Sequence, residues 1–288
     1  MPRRSRRRRR KKSQLGTYFL IGALVLLIVA LVGPAIYLYT QTEDELALDD
    51  ETLCPTGGPS QTTAIIVDAT DSIGDITRLA LMNNLRGIIE RIPKYGQITL
   101  YVIDANGAAM EPAFKFCNPG KLEDLTELAR MGIIANQEFI RRRWEDYRSR
   151  TLAEIERALD RSFEADRSPL LHAIQLVTVQ LPQVRQDLDP DSRLRNRIVM
   201  FSDMLEHTQD FSVYRSGIDI EAFRQSNAYR KYTMDLKPFV MEVHFVMRTE
   251  SGARNLSEYV EIRNFWHAIF VKEFKAYDML PMRLPGAN

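Results

Sequence analysis

Residues 64–72 read AIIVDATDS, and the change of character at Asp68 decides how the whole chain is read. The run TAIIVD (63–68) is almost continuously apolar, as expected of a strand covered on both faces. It stops abruptly at Asp68, Thr70, Asp71 and Ser72. Acids and hydroxyls at the end of a buried strand are costly unless something pairs them. A metal ion, a phosphoryl group or the N-terminus of the next helix could each fill that role.

Working outward, the chain alternates between strand-like and helix-like patterns. ITRLALMNNLRGIIERI (76–92) puts Leu79, Met82, Leu85, Ile88, Ile89 and Ile92 on one helical face. QITLYVID (97–104) reads as a strand, and AFKFC (113–117) as a short strand after turn signals. A long helical region follows, an insertion over about 121–165 with Ile140, Trp144, Tyr147, Ile155, Leu159 and Phe163 on one side and arginines on the other. Arg150 and Glu154 stand there at helical pair spacing. SPLLHAIQLVTVQL (168–181) is a helix with Ser168 as candidate N-cap and Pro169 in its first turn. NRIVMFSD (196–203) is a second buried strand that ends, like the first, at a hydroxyl and an acid. DIEAFRQSNAYRKY (219–232) reads as a helix, FVMEVHFVMR (239–248) as a strand and NLSEYVEIRNFWHAIFVKEF (255–274) as a closing helix, leaving 278–288 as a tail.

Such alternation predicts an α/β fold, a doubly wound, mostly parallel sheet over residues 61–277. Sheets of this kind bind ligands outside the carboxyl ends of their strands, at the topological switch point. Asp68 and Asp203 both fall at strand carboxyl ends.

The amino-terminal part has a different chemistry. The first twelve residues carry nine Lys or Arg and no acid, so the remainder has 30 bases against 38 acids. Residues 13–42 contain no charged side chain, and 15–39 are long enough to span a bilayer as a helix. Tyr18, Tyr37 and Tyr39 suit the two interfaces, and no convincing cleavage site follows. Bases on one flank and Glu43, Asp44 and Glu45 on the other predict residues 1–14 as a cytoplasmic tail and the main domain as periplasmic or extracellular. The arginines then act as a topology determinant lying on anionic lipid; nucleic-acid binding is the minor reading of the same cluster. Residues 40–60 read as an acidic linker.

Three ordered segments carry a resemblance. DATDS after the first strand, SPLLHAI at a helix start and IVMFSD at a later strand end resemble the loops of a von Willebrand factor type A domain with its metal ion-dependent adhesion site. The resemblance implies a divalent cation, Mg²⁺ or Mn²⁺, held by Asp68, Thr70, Ser72, Ser168 and Asp203. It also implies a protein partner that offers an acidic residue to the ion, which is binding chemistry rather than catalysis. Thr70 and Ser168 stand where the family pattern has Ser and Thr, and Asp71 adds a charge beside the site. On the bland alternative, Asp68 caps the helix beginning near Asp75 and Ser168 caps its own.

Two further readings compete: a metal-independent scaffold of an envelope complex, and a haloacid dehalogenase-like phosphatase with Asp68 as nucleophile. That phosphatase family usually wants an acid two residues beyond the nucleophile, where Thr70 sits, and its later acids are only loosely echoed by Asp203, Glu206 and Asp210. No P-loop, G-x-G-x-x-G or G-x-S-x-G occurs, and His172 and His207 form no cluster of zinc spacing; His207 reads as an exposed loop residue. Within the expected fold AFKFC turns back antiparallel to QITLYVID, so its end and Cys54 share the amino-terminal edge of the sheet. That placement predicts a Cys54–Cys117 disulfide, remote from the metal site.

Overall fold

A computed structural model describes residues 14–40, 47–70, 74–103, 111–125, 136–160, 167–188, 195–246 and 256–284. Six strands form one sheet: β1 (Thr62–Asp68), β2 (Gln97–Ile103), β3 (Phe114–Cys117), β4 (Asn196–Ser202), β5 (Phe239–Phe245) and β6 (Asp278–Arg283). Their spatial order is β3-β2-β1-β4-β5-β6, and every neighbouring pair is parallel except β2 with β3. The order reverses between β1 and β4, so the switch point lies where those two strands end side by side. Segment 278–283, expected to be a tail, is instead the sixth strand. Pro281 obscures it in the sequence, and an edge strand tolerates a proline that a central one does not.

Alternation along β1 and β4 divides the core into two layers. Ala64, Ile66, Ile198 and Met200 face one side. They pack against α4 (Leu170–Gln180) and α8 (Leu256–His267), with three short helices between them in sequence, α5 (Val213–Ser216), α6 (Ile220–Gln225) and α7 (Asn227–Lys231). Ile65, Val67, Val199 and Phe201 face the other side, against α2 (Asp75–Glu90) and α3 (Gln137–Leu159). Both layers are fully desolvated along β1, which accounts for its unbroken apolar run.

Several local expectations need correction. Leu79 is 62% exposed, and Leu81 takes its place in the core, giving the stripe Leu81, Leu85, Ile88 and Ile92. Spacings of four, three and four keep that stripe on one face of the helix better than a set beginning at Leu79. The helix expected over 219–232 is two helices, because the Ser226 hydroxyl accepts the Tyr229 N–H and starts a new one. The closing helix continues into a π-helical turn, Ala268–Glu273, before β6. Arg150 does not pair with Glu154; it contacts Asp146 and the Glu51 carbonyl, while Glu154 pairs with Arg157. Of the insertion over 121–165, α3 lies on the outer sheet layer with Tyr147, Ile155 and Leu159 buried, while 126–135 and 161–166 lie outside the described residues.

Cys54 and Cys117 form a disulfide, as expected. It joins the segment before β1 to the end of β3 at the amino-terminal edge of the sheet, where the Thr52 carbonyl also accepts the Cys117 N–H.

The amino-terminal helix α1 (Gln14–Thr40) is 27 residues long and has no acidic or basic side chain. Among the described residues no helix is long and apolar enough to cross a membrane. Side chains of α1 are described only at position 18 and over 20–30 and 32–34, a run shorter than the roughly 20 residues a span needs.

Candidate functional site

The end of β1 and the end of β4 are built to meet. Val67 pairs with Phe201 in parallel register, so the next residues, Asp68 and Ser202, stand side by side on the α4 face. The Ser202 hydroxyl donates to Asp68 Oδ2 at 2.8 Å. The Ser168 hydroxyl donates to the same oxygen at 3.0 Å from the loop before α4. On the other oxygen, Oδ1 accepts the Thr70 hydroxyl at 2.6 Å and the Thr70 N–H at 3.2 Å. One carboxylate thus gathers three hydroxyls from three segments of chain.

This geometry replaces the capping expectation. The N-cap of α2 is Gly74, without a side-chain cap, and the residue before α4 is Pro169, also without one. Ser168 is held instead by a two-way backbone bridge with His207, whose N–H and carbonyl exchange bonds with it at 3.0 and 3.1 Å. His207 is consequently a half-buried member of the site's wall, its Nδ1 2.8 Å from the Ser212 hydroxyl, rather than an exposed loop residue.

Beyond Ser202 the chain turns sharply. Met204 is buried with φ of +62°, a left-handed conformation that costs a non-glycine residue on the order of 1 kcal/mol or more. Three bonds hold the turn: Met204 N–H to the Ser202 hydroxyl, Leu205 N–H to Asp203 Oδ1, and Trp266 Nε1 to the Met204 carbonyl. The turn keeps Asp203, 7% exposed, at the carboxyl end of β4.

Glu206 lies at the end of this turn and is completely buried. Its Oε2 accepts the Leu171 N–H at the start of α4, at 3.0 Å. Its Oε1 meets no partner at hydrogen-bond geometry among the described residues. Burial pushes the carboxyl up to about 8, and the nearby Asp68 charge adds to the rise; the Leu171 N–H and the closeness of the Thr208 hydroxyl and Leu170 N–H offset it only in part.

Of the five expected ligands, Asp68, Thr70 and Ser168 are joined by hydrogen bonds, and Asp203 stands at the end of the strand beside β1. Ser72 lies outside the described residues. Two members stand outside the expected ligand set, although Glu206 was among the acids of the phosphatase reading. Ser202 was visible only as the hydroxyl before Asp203, and the β1–β4 register is needed to see that it faces Asp68. Glu206 follows an apolar pair, Met204 and Leu205, and that is the only sign in the sequence that it points inward.

Every donor in this set is oxygen, as a hard divalent cation requires. A hydroxyl that donates its proton to Asp68 keeps its lone pairs, so Thr70 and Ser168 remain able to ligate a cation. Among the described residues no group of three or more His, Cys, Asp or Glu could hold a metal ion; a set of two carboxylates plus hydroxyls is of another kind. No protein-family model matches the chain, and no curated protein sequence matches it either.

Proposed function

We propose that the protein is a single-pass membrane protein whose α/β domain, outside the cytoplasm, binds a partner protein through a divalent cation. The observation that carries this reading is the convergence of the Thr70, Ser168 and Ser202 hydroxyls on the Asp68 carboxylate at the switch point of the sheet. Helix capping would explain each side chain separately, but neither adjacent helix is capped by them. Asp68, Thr70, Ser168 and Asp203, with Ser72 by sequence, would hold Mg²⁺ or Mn²⁺ as in the von Willebrand factor type A domains that the three loops resemble. Bound there, the cation would supply an electrophilic position for an acidic side chain of the partner. Ser202 and Glu206 act behind that position. Ser202 orients Asp68, and burial, which holds the Glu206 carboxyl above its ordinary value in the metal-free protein, disfavours a further charge behind the site.

The membrane part rests on α1. Its described side chains over 20–30 are all exposed, Leu20 and Leu26 by 71% and 72%, so the described protein does not cover them. A helix apolar all round needs lipid or another protein around it.

Mn²⁺ titration followed by electron paramagnetic resonance, on the full chain in detergent, tests the site. Wild-type protein is expected to bind one ion and Asp68→Ala none, with partner binding lost in chelator and in the same variant. Equal Mn²⁺ binding by both proteins refutes the metal site. Chelator-resistant partner binding would favour the scaffold reading, and aryl phosphate turnover in Mg²⁺ that Asp68→Asn abolishes would favour the phosphatase.

A further inference from the structure

A second site lies at the opposite edge of the sheet. A cavity of about 60 Å³ opens there, lined by Leu48, Lys94, Tyr95, Lys121, Ile140 and Arg143. We propose that it binds the phosphate headgroup of an anionic phospholipid from the leaflet next to the domain. The inference rests on the membrane anchor proposed above, and on nothing at the metal site.

Charge is the first argument. Three cations line the cavity against a single acid, Asp124, whose Oδ2 is engaged by the Lys121 N–H at 2.9 Å. Among the described residues neither the Lys121 ammonium nor the Arg143 guanidinium is ion-paired. The ammonium donates to the Glu90 carbonyl at 3.0 Å and lies 5.6 Å from the Trp144 ring, and the guanidinium lies 5.4 Å from the Phe139 ring. Two cations without an ion-pair partner among the described residues, at an opening where cations outnumber the single acid, attract an anion. The apolar wall contributed by Leu48 and Ile140 suits the glycerol and first methylenes of a lipid better than a free ion.

Rigidity is the second. Tyr95 and Gly120, both lining the cavity, have positive φ, +64° and +98°. Buried Asn118 fixes the loop between them: its side chain bonds the Ile92 carbonyl at 2.7 Å and the Gly120 N–H at 2.8 Å, and its carbonyl accepts the Tyr95 N–H at 2.8 Å. A side chain at position 120 would crowd Lys94 at 3.3 Å, so glycine there leaves that lysine its place in the wall.

Reach is the third. Leu48 stands eight residues after Thr40, the end of α1, so the cavity wall lies within about 28 Å of the helix end. The chain enters the domain at this edge and is pinned there by Cys54–Cys117. An anionic headgroup at the membrane surface is within that reach.

Carbonate extraction of membranes tests the anchor first: the chain is expected to stay in the pellet, and release would remove the anchor reading and the lipid assignment with it, leaving the metal site untouched. Native mass spectrometry of the full chain in detergent, with phosphatidylglycerol or phosphatidylcholine added, then tests the cavity. Wild type is expected to retain phosphatidylglycerol over phosphatidylcholine, and Lys121→Ala/Arg143→Ala to bind it roughly 20- to 30-fold more weakly, about fivefold per cation removed near an anionic surface. Lys121→Arg/Arg143→Lys should keep the preference, and thermal melting should show all three proteins folded. Equal retention by wild type and the alanine variant overturns the proposal, since the amino-terminal arginines would then account for all lipid bound. Binding of inorganic phosphate with no preference for phosphatidylglycerol overturns the lipid assignment as well.

Discussion

Two buried carboxylates, Glu206 in the turn after β4 and Glu242 on β5, respond to pH in opposite senses, because burial is answered by different neighbours. Glu206 meets mainly backbone N–H groups and stays above its ordinary value, at about 8. Around Glu242 on β5, burial likewise pushes the carboxyl up, but His244, Arg197 and Arg91 overturn that effect and hold it below its ordinary value. Glu206 has a folded value above its unfolded one, so its contribution is fully present below about 4.5 and is lost as pH rises toward 8. Full loss corresponds to about 5 kcal/mol at 1.4 kcal/mol per unit. In metal-free protein, Glu206→Gln should therefore flatten the fall in melting temperature between pH 5 and pH 8, roughly the window in which the wild-type group ionises. A melting series with the same slope in both proteins would show that Glu206 is not the responsible group. For Glu242 the sign reverses: its stabilisation is present above its ordinary value of 4.5 and disappears as pH falls through the lower folded value. Arg197→Met should leave that buried carboxylate less compensated and cost about 3 kcal/mol at pH 7, read as a lower denaturation midpoint.

At the scale of elements, the strands could be read from sequence where both faces are buried, because an unbroken apolar run then has one interpretation. That holds for β1 and β4, and with them came Asp68 and Asp203 at strand ends, the core of the candidate site. It fails for β6, of which only Met279 is buried, so burial left no pattern to read. Cross-strand partners were not legible either. Ser202 faces Asp68 because β4 lies beside β1, a pairing between strands more than a hundred residues apart. If Ser202 orients Asp68, Ser202→Ala should weaken Mn²⁺ binding about 10- to 100-fold without contacting the ion, the usual size for a residue that holds a ligand in place. An unchanged affinity would reduce Ser202 to a structural role. On α2 the expected Met82, Leu85, Ile88, Ile89 and Ile92 are buried and Leu79 alone is exposed, since Leu79 and Leu81 both precede a good three-four pattern. Urea denaturation separates them: Leu81→Ala should cost about 2–5 kcal/mol and Leu79→Ala about 0.5 or less.

For the whole molecule, what matters is that the two ends of the sheet carry different chemistry, oxygen donors at one and cations at the other. Parallel strands of seven residues at about 3.3 Å each separate the ends of β1 and β4 by roughly 20 Å. The chain arrives at the amino-terminal end, where Cys54–Cys117 ties the segment after residue 47 to β3 and the basic cavity lies close by. Asp68, Ser168, Ser202 and Asp203 gather at the other end, which an anchored domain can turn away from the membrane. A disulfide closing a loop over 63 residues stabilises by on the order of 4 kcal/mol through the entropy of the unfolded chain. Because the bond lies a full strand length from Asp68, that stabilisation need not be felt at the ion. Cys54→Ser/Cys117→Ser should therefore lower the melting temperature by about 10 °C, the shift expected for such a loss in a domain of this size. Mn²⁺ affinity, measured well below the new melting temperature, should stay within about twofold of wild type, since sites this far apart without shared partners behave additively. Lost affinity in a folded variant would mean that the two ends are coupled through β1 and β2, and that the bond at one edge sets the geometry of the site at the other.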